Sequence, residues 1–140
     1  MITFFDSGVG GFSIYRQFLS LNLPVSSVYV ADQFYQPYGS RSSAWIRSRV
    51  KKIYQKVQTE NPSSLWIIAC NTATLATPIT HLRNMFPDTA WIGTEPPYKP
   101  LLASIDNTRK LILATPTTIQ ALEKILGKDT TIDLKALSRL

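Results

Sequence analysis

Leu65-Trp66-Ile67-Ile68-Ala69-Cys70-Asn71-Thr72-Ala73 is an apolar run that ends in the only cysteine of the 140-residue chain and passes into a helix-like segment. An unbroken apolar run suits a strand buried on both faces, as in a parallel sheet. Such a strand delivers Cys70 to its carboxyl end, where open α/β sheets place their ligands. Beside the first N–H groups of a helix a thiolate is favoured by the dipole, so the thiol pKa is expected to fall. Asn71 and Thr72 are capping residue types whose side chains can also face a ligand. A lone cysteine has a plainer reading too, as a small buried hydrophobe.

On both sides of this stretch the order strand-then-helix repeats. Upstream, the pattern predicts a strand over 2–5, a helix from Phe12 that stops before Pro24, and a strand over 27–31 ending at Asp32. A turn-prone aromatic stretch over 34–40 follows, then a long amphipathic helix over 42–60 that stops before Pro62. Downstream, one helix is expected from about Thr72 towards Phe86, with Pro78 in or near its first turns. Strands over 89–92 and 110–114, a short helix over 100–104, a helix from Thr115 to about Leu126 and a short strand near 131–134 complete the reading. This alternation predicts an α/β fold: a doubly wound parallel sheet with flanking helices over 1–95, followed by an incomplete second α/β domain over 96–140. The successive strand ends carry Asp6-Ser7, Asp32, Cys70-Asn71-Thr72 and Thr115-Thr117-Thr118, which places all of them along one carboxyl edge and lets them share one crevice.

Composition narrows the function classes. No apolar run approaches the roughly 18 residues of a membrane span, and the N-terminus lacks the basic start and apolar core of a signal peptide. A single cysteine forms no internal disulfide, and thiol chemistry needs a reducing compartment, so the cytoplasm is expected. No metal-ligand spacing is present. The net charge of +6 gathers between Arg41 and Lys56, but Ile46, Val50, Ile53 and Val57 recur there at helical spacing. The cluster therefore reads as the solvated face of a helix, with no nucleic-acid partner expected.

Several motifs carry more than one reading. Gly8-Val9-Gly10-Gly11 after a strand suits either a carboxylate bound on bare N–H groups or a tight turn needing positive φ. It matches neither the dinucleotide fingerprint nor the P-loop. Asp6 is either a catalytic or orienting carboxylate, or a helix N-cap or turn acceptor. Tyr38-Gly39 either presents a hydroxyl and an amide to a ligand or packs on the core. His81, eleven residues past Cys70 and two to three helical turns away, is too distant to form a Cys–His pair.

Phe5-Asp6-Ser7-Gly8-Val9-Gly10-Gly11, Ala31-Asp32 with Pro37-Tyr38-Gly39, and Ala69-Cys70-Asn71-Thr72-Ala73, in this order and spacing, resemble the glutamate racemases of the aspartate/glutamate racemase family. Gly93-Thr94-Glu95-Pro96 with Lys99-Pro100, and Leu113-Ala114-Thr115-Pro116-Thr117-Thr118, resemble the next two landmarks, so the likeness runs from Met1 to about Gly127. It implies a cofactor-independent, metal-free isomerase that interconverts L- and D-glutamate for peptidoglycan synthesis. Two cysteines on opposite faces of Cα exchange its proton. By the same resemblance Cys70 is the base towards D-glutamate and Asp6 and Ser7 orient the thiol and meet the substrate amino group. Tyr38, Gly39, Asn71, Thr72, Thr117 and Thr118 hold the two carboxylates.

The family's second cysteine stands in a Cys-Thr-His block beyond residue 140, and this chain has none. The expectation is a fragment or truncated product whose apolar surface favours self-association, a homodimer among the forms it allows. Two-base racemisation then fails unless a second copy supplies a base. The readings set beside glutamate racemase are a catalytically dead remnant or carboxylate-binding module, and an aspartate racemase.

Overall fold

The computed structural model describes residues 1–103, 108–127 and 132–137. Four parallel strands form the main sheet: β1 (Ile2–Asp6), β2 (Ser27–Ala31), β3 (Leu65–Ile68) and β4 (Ala90–Gly93), in the spatial order β2-β1-β3-β4. Register pairs Phe5 with Val30 on one side and with Ile68 on the other, and Ile68 with Gly93. All four carboxyl ends therefore emerge together.

Alternation along each strand sends its side chains to two layers. Phe5, Trp66, Ile68 and Trp91 enter one core with helix α2 (Ser43–Glu60), whose Ile46, Val50, Ile53, Tyr54 and Val57 form the buried stripe. Ser42 caps α2 by accepting the Trp45 N–H at 3.3 Å, and the helix ends at Asn61, ahead of Pro62. On the other face α1 (Phe12–Leu19) covers Phe4, whose ring lies 5.0 Å from Tyr15 and 4.9 Å from Phe18. That cover is partial. None of the α1 residues is fully buried, Ile67 is half-buried, and Ile92, its register partner, is 50% exposed.

The single helix expected from Thr72 to Phe86 is two helices, α3 (Asn71–Ala76) and α4 (Ile79–Met85). Pro78 has no N–H to donate, and its ring pushes the preceding residue out of the helical region; Thr77 sits at φ −127°, ψ 85°. Helix α5 (Tyr98–Ala103) starts two residues before its expected position, and Ser104 lies outside the described residues.

The crevice is also built differently from the expectation. β5 (Lys110–Ala114) does not join the main sheet; it pairs in parallel with β6 (Ile132–Ala136) in a separate two-stranded sheet. Pro96 and Pro97 cannot extend the β4 ladder, and the chain leaves the sheet edge there through α5. Helix α6 (Pro116–Leu126) returns Thr117 and Thr118 to the main sheet's carboxyl end, so two sheets rather than one frame the cleft.

Phe12, Ile14 and Leu19 on α1, and Leu21, Leu23 and Val25 in the segment that follows it, are all substantially exposed, an amount of apolar surface that favours association. The 140-residue chain is expected to self-associate in sedimentation velocity, and Leu21→Lys with Ile92→Lys to shift it towards monomer at unchanged thermal midpoint. A parent chain that stays monomeric at tens of micromolar contradicts this.

Candidate active site

Cys70 follows β3 directly and is itself the N-cap of α3, in place of Asn71 or Thr72. Its Sγ accepts the Ala73 N–H at 3.4 Å and shares a second hydrogen bond with Ser7 Oγ at 3.4 Å. Only 7% of Cys70 is exposed. The expected fall in its pKa is reversed. Burial pushes the thiol above its ordinary value of 9.0, the hydrogen bonds from Ser7 and Ala73 pull it back, and the Asp6 charge adds to the rise. α3 spans six residues, so its dipole is too small to outweigh the loss of water.

Asp6 ends β1 and is buried. Its Oδ1 accepts the Ser7 N–H at 2.8 Å and its Oδ2 the Gly11 N–H at 2.9 Å, with Tyr29 Oη donating at 3.4 Å. Tyr29 is pushed up to about 12, by burial and then by the Asp6 charge. The carboxylate held by the glycine loop is thus the chain's own. The N–H groups of Phe12, Ser13 and Ile14 are paired within the same turn. Positive φ is not the reason for these glycines, since Gly127 is the only glycine with positive φ among the described residues. At Gly11 the reason is contact: a Cβ there would stand 2.6 Å from Ala69 Cβ.

Tyr38 takes the core reading. It is buried against Phe5 and Trp45, and its hydroxyl donates to Asp32 Oδ2 at 2.6 Å rather than facing the cleft. Arg49 completes this network through Nε to Asp32 Oδ2 at 2.7 Å and Nη2 to Oδ1 at 2.6 Å. Burial opposes the Asp32 charge, but the hydrogen bonds from Arg49 and Tyr38 outweigh it and hold the carboxyl below its ordinary value. Its stabilising contribution is therefore complete above pH 3.8 and is lost as pH falls through the lowered value. The same turn packs Gly39 so tightly on Thr115 that a Cβ would collide with that side chain.

Threonine hydroxyls close the other wall. Thr72 Oγ1 lies 3.1 Å from both Thr115 Oγ1 and Thr118 Oγ1, and Thr115 Oγ1 donates to Thr118 Oγ1 at 3.0 Å. Three hydroxyls carry three protons, so the ring satisfies itself, and one member must turn outward to serve a ligand. Thr117 looks away from this ring, its hydroxyl shared between the carbonyls of Gly39 at 2.9 Å and Arg41 at 2.8 Å. Asn71, Thr72, Thr115 and Thr118 line a cleft of about 420 Å³, with Leu113 and Pro96 on its apolar side. Thr115 lines the cleft, as its place at a strand end implies, whereas Arg49 is a residue to which the sequence does not point. Thr115 lies one helical turn before Thr118, a spacing that puts both on one side of α6. Nothing local in the sequence pairs Arg49 with Asp32, which is seventeen positions away.

His81 is exposed on α4, apart from the buried thiol. Among the described residues no cluster of His, Cys, Asp and Glu is placed to hold a metal ion, and no helix is long and apolar enough to cross a membrane.

Both the sequence and the fold that carry this thiol have relatives among known proteins. Over 117 residues the chain is 39% identical to the glutamate racemase of Aliarcobacter butzleri, which takes in 84% of this chain and 44% of the relative. This chain is homologous to the glutamate racemases. That of Pseudomonas aeruginosa is 39% identical over 118 residues, 84% of this chain and 43% of its own. The crystal structure of Escherichia coli glutamate racemase in complex with L-glutamate and the activator UDP-MurNAc-ala superimposes with a TM-score of 0.76 at 28% identity, over 98% of this chain and 53% of that one. The Francisella tularensis glutamate racemase, in complex with D-glutamate, gives 0.69 at 26% identity over 96% and 51%. The chain spans about half the length of these glutamate racemase homologues, which are isomerases. No protein-family model matches it.

Because the folded thiol titrates above 9.0, its neutral form stabilises the fold below that pH, and the contribution is lost as pH rises through the folded value. Alkylation of Cys70 by iodoacetamide is expected to show a midpoint above 9.0 in the folded chain and near it in urea. Asp6→Asn should lower the midpoint and Ser7→Ala raise it. A folded midpoint below 9.0 contradicts the burial argument.

Proposed function

We propose that this chain carries one of the two proton-transfer sites of a glutamate racemase, which interconverts L- and D-glutamate and supplies D-glutamate for peptidoglycan. The observation that carries the reading is the Cys70 thiol at the carboxyl end of β3, hydrogen-bonded to Ser7 and the Ala73 N–H beside the threonine cleft. Residues 1–95 are read as the racemase-like α/β domain and 96–140 as the beginning of a second. A thiol working as a base points to a reducing compartment, the cytoplasm.

In this reading Cys70 removes the α-proton of D-glutamate. An amino-acid Cα–H is a very weak acid, so a raised thiol pKa is an asset: once ionised, the more basic thiolate is the better acceptor. The substrate ammonium supplies the opposite charge that favours ionisation when it docks beside Ser7 and Asp6. Asp6 acts through the loop, fixing the Ser7 N–H and with it the Oγ that touches sulfur. Asn71, Thr72 and Thr118 meet the substrate carboxylates as the hydroxyl ring opens. Gly39 belongs to the same wall, while Tyr38 and Thr117 brace it from behind.

Cys70 is the only thiol in the sequence, so a second one has to come from outside these 140 residues. That observation also supports a second reading, a carboxylate-binding module without turnover, and it leaves aspartate as an alternative substrate within the family.

The test is proton NMR of D- and L-glutamate in heavy water with the 140-residue chain. The expected result is slow loss of the D-glutamate α-proton signal at constant optical rotation, absent in Cys70→Ala. The thiol exchanges its proton with heavy water and returns deuterium to the face that the proton left. No exchange of either enantiomer overturns the catalytic reading in favour of the binding module, and faster exchange of aspartate overturns the choice of substrate.

A further inference from the structure

A second pocket lies on α2, apart from the threonine-lined cleft and sharing no residue with it. Trp45, Ser48, Arg49 and Lys52 recur at i, i+3, i+4 and i+7, which puts them on one flank of the helix, beside the buried stripe. With Tyr35 from the short 3₁₀ turn Gln33–Tyr35 they enclose about 180 Å³.

We propose that this pocket binds a small phosphate monoester whose organic part is a planar ring. The lining offers a hydroxyl, a guanidinium and an ammonium, all donors suited to an oxyanion. Competing carboxylates are scarce: residues 1–59 hold seven basic side chains and two acidic ones, Asp6 and Asp32, and both acids are buried. Asp32 and the Tyr38 hydroxyl engage part of the Arg49 guanidinium, whose five N–H groups outnumber these partners. The guanidinium is held 4.0 Å above the Tyr35 ring, and Arg41 stands 5.2 Å over Trp45, so cations are already seated on the aromatic wall.

Size and rim choose the rest of the ligand. A volume of about 180 Å³ is below the roughly 300–1,000 Å³ of sites that engulf a drug-sized molecule, so the pocket takes the phosphate and leaves the organic part at the mouth. There Trp45 is half-buried, and Phe34, 87% exposed, stands edge-on to Tyr35 with centroids 4.9 Å apart. A phenylalanine that exposed contributes little to the core of this chain, and it gives a ring a surface to stack on.

Tryptophan fluorescence reads the site directly, because Trp66 and Trp91 are 0% and 1% exposed and Trp45 is the one tryptophan within reach of a solute. The full chain is titrated with phenyl phosphate, methyl phosphate and inorganic phosphate. Phenyl phosphate is expected to give a saturable change and to bind about tenfold more tightly than methyl phosphate, through stacking. Lys52→Gln should weaken both about tenfold by removing a charge-assisted hydrogen bond. Lys51→Gln, also exposed but on another flank, should leave binding unchanged; both are surface substitutions between residues of similar helix propensity. No saturable response to phenyl phosphate overturns the proposal. So does an equal loss in the two lysine variants, which would mean a diffuse field, and so do equal affinities for the phenyl and methyl esters.

Discussion

The molecule is organised by the conflict between burial and charge at one sulfur atom. Register in a parallel sheet brings the ends of β1 and β3 side by side, and that adjacency puts Ser7 against Cys70. Two weak hydrogen bonds and a six-residue helix then favour the thiolate, while loss of water opposes it. A helix terminus is worth only about 0.3–1 kcal/mol at an exposed site, and burial is the largest influence on this thiol. Desolvation prevails, and the thiol is held above its ordinary value. On the proposed reading, the thiolate forms when an ammonium-bearing substrate brings a cation to the sulfur.

Asp6 shows how one group serves structure and chemistry with opposite signs. Its two oxygens tie the loop through the N–H groups of Ser7 and Gly11, and that fold of the loop is what holds Ser7 near sulfur. The same negative charge raises the thiol pKa. Across the cleft, the threonine ring and the Thr117 brace join α6 to α3 and to the Tyr38–Gly39 turn, so the far wall is fixed by hydroxyls rather than by ladder hydrogen bonds.

Strands and the long helix were legible because their cause is local. The stripe Ile46, Val50, Ile53 and Val57 is buried as its spacing demands, and the apolar run before Cys70 is a central strand. The misreadings share a different cause. The direction of the Cys70 shift depends on how much water the finished fold removes, which spacing does not encode. Spacing leaves Tyr38 open between facing a ligand and packing on the core, because its partners, Asp32 and Arg49, meet only after α2 has packed. The separate sheet of β5 and β6 escaped because alternation predicts strands but not which neighbour each will choose. Thr118 nevertheless reaches the cleft, carried there by α6, while Thr117 ties the same helix to the Tyr38–Gly39 turn.

The central claim is that the ends of β1 and β3 and the first turn of α6 form one glutamate-binding cleft around Cys70. Amide chemical-shift mapping of the 15N-labelled chain with D-glutamate tests it most directly. The account expects the largest shifts at Ser7, Asn71, Thr72 and Thr118, with little change on the exposed face of α2. Shifts confined to other surfaces, or none at saturating glutamate, would contradict it.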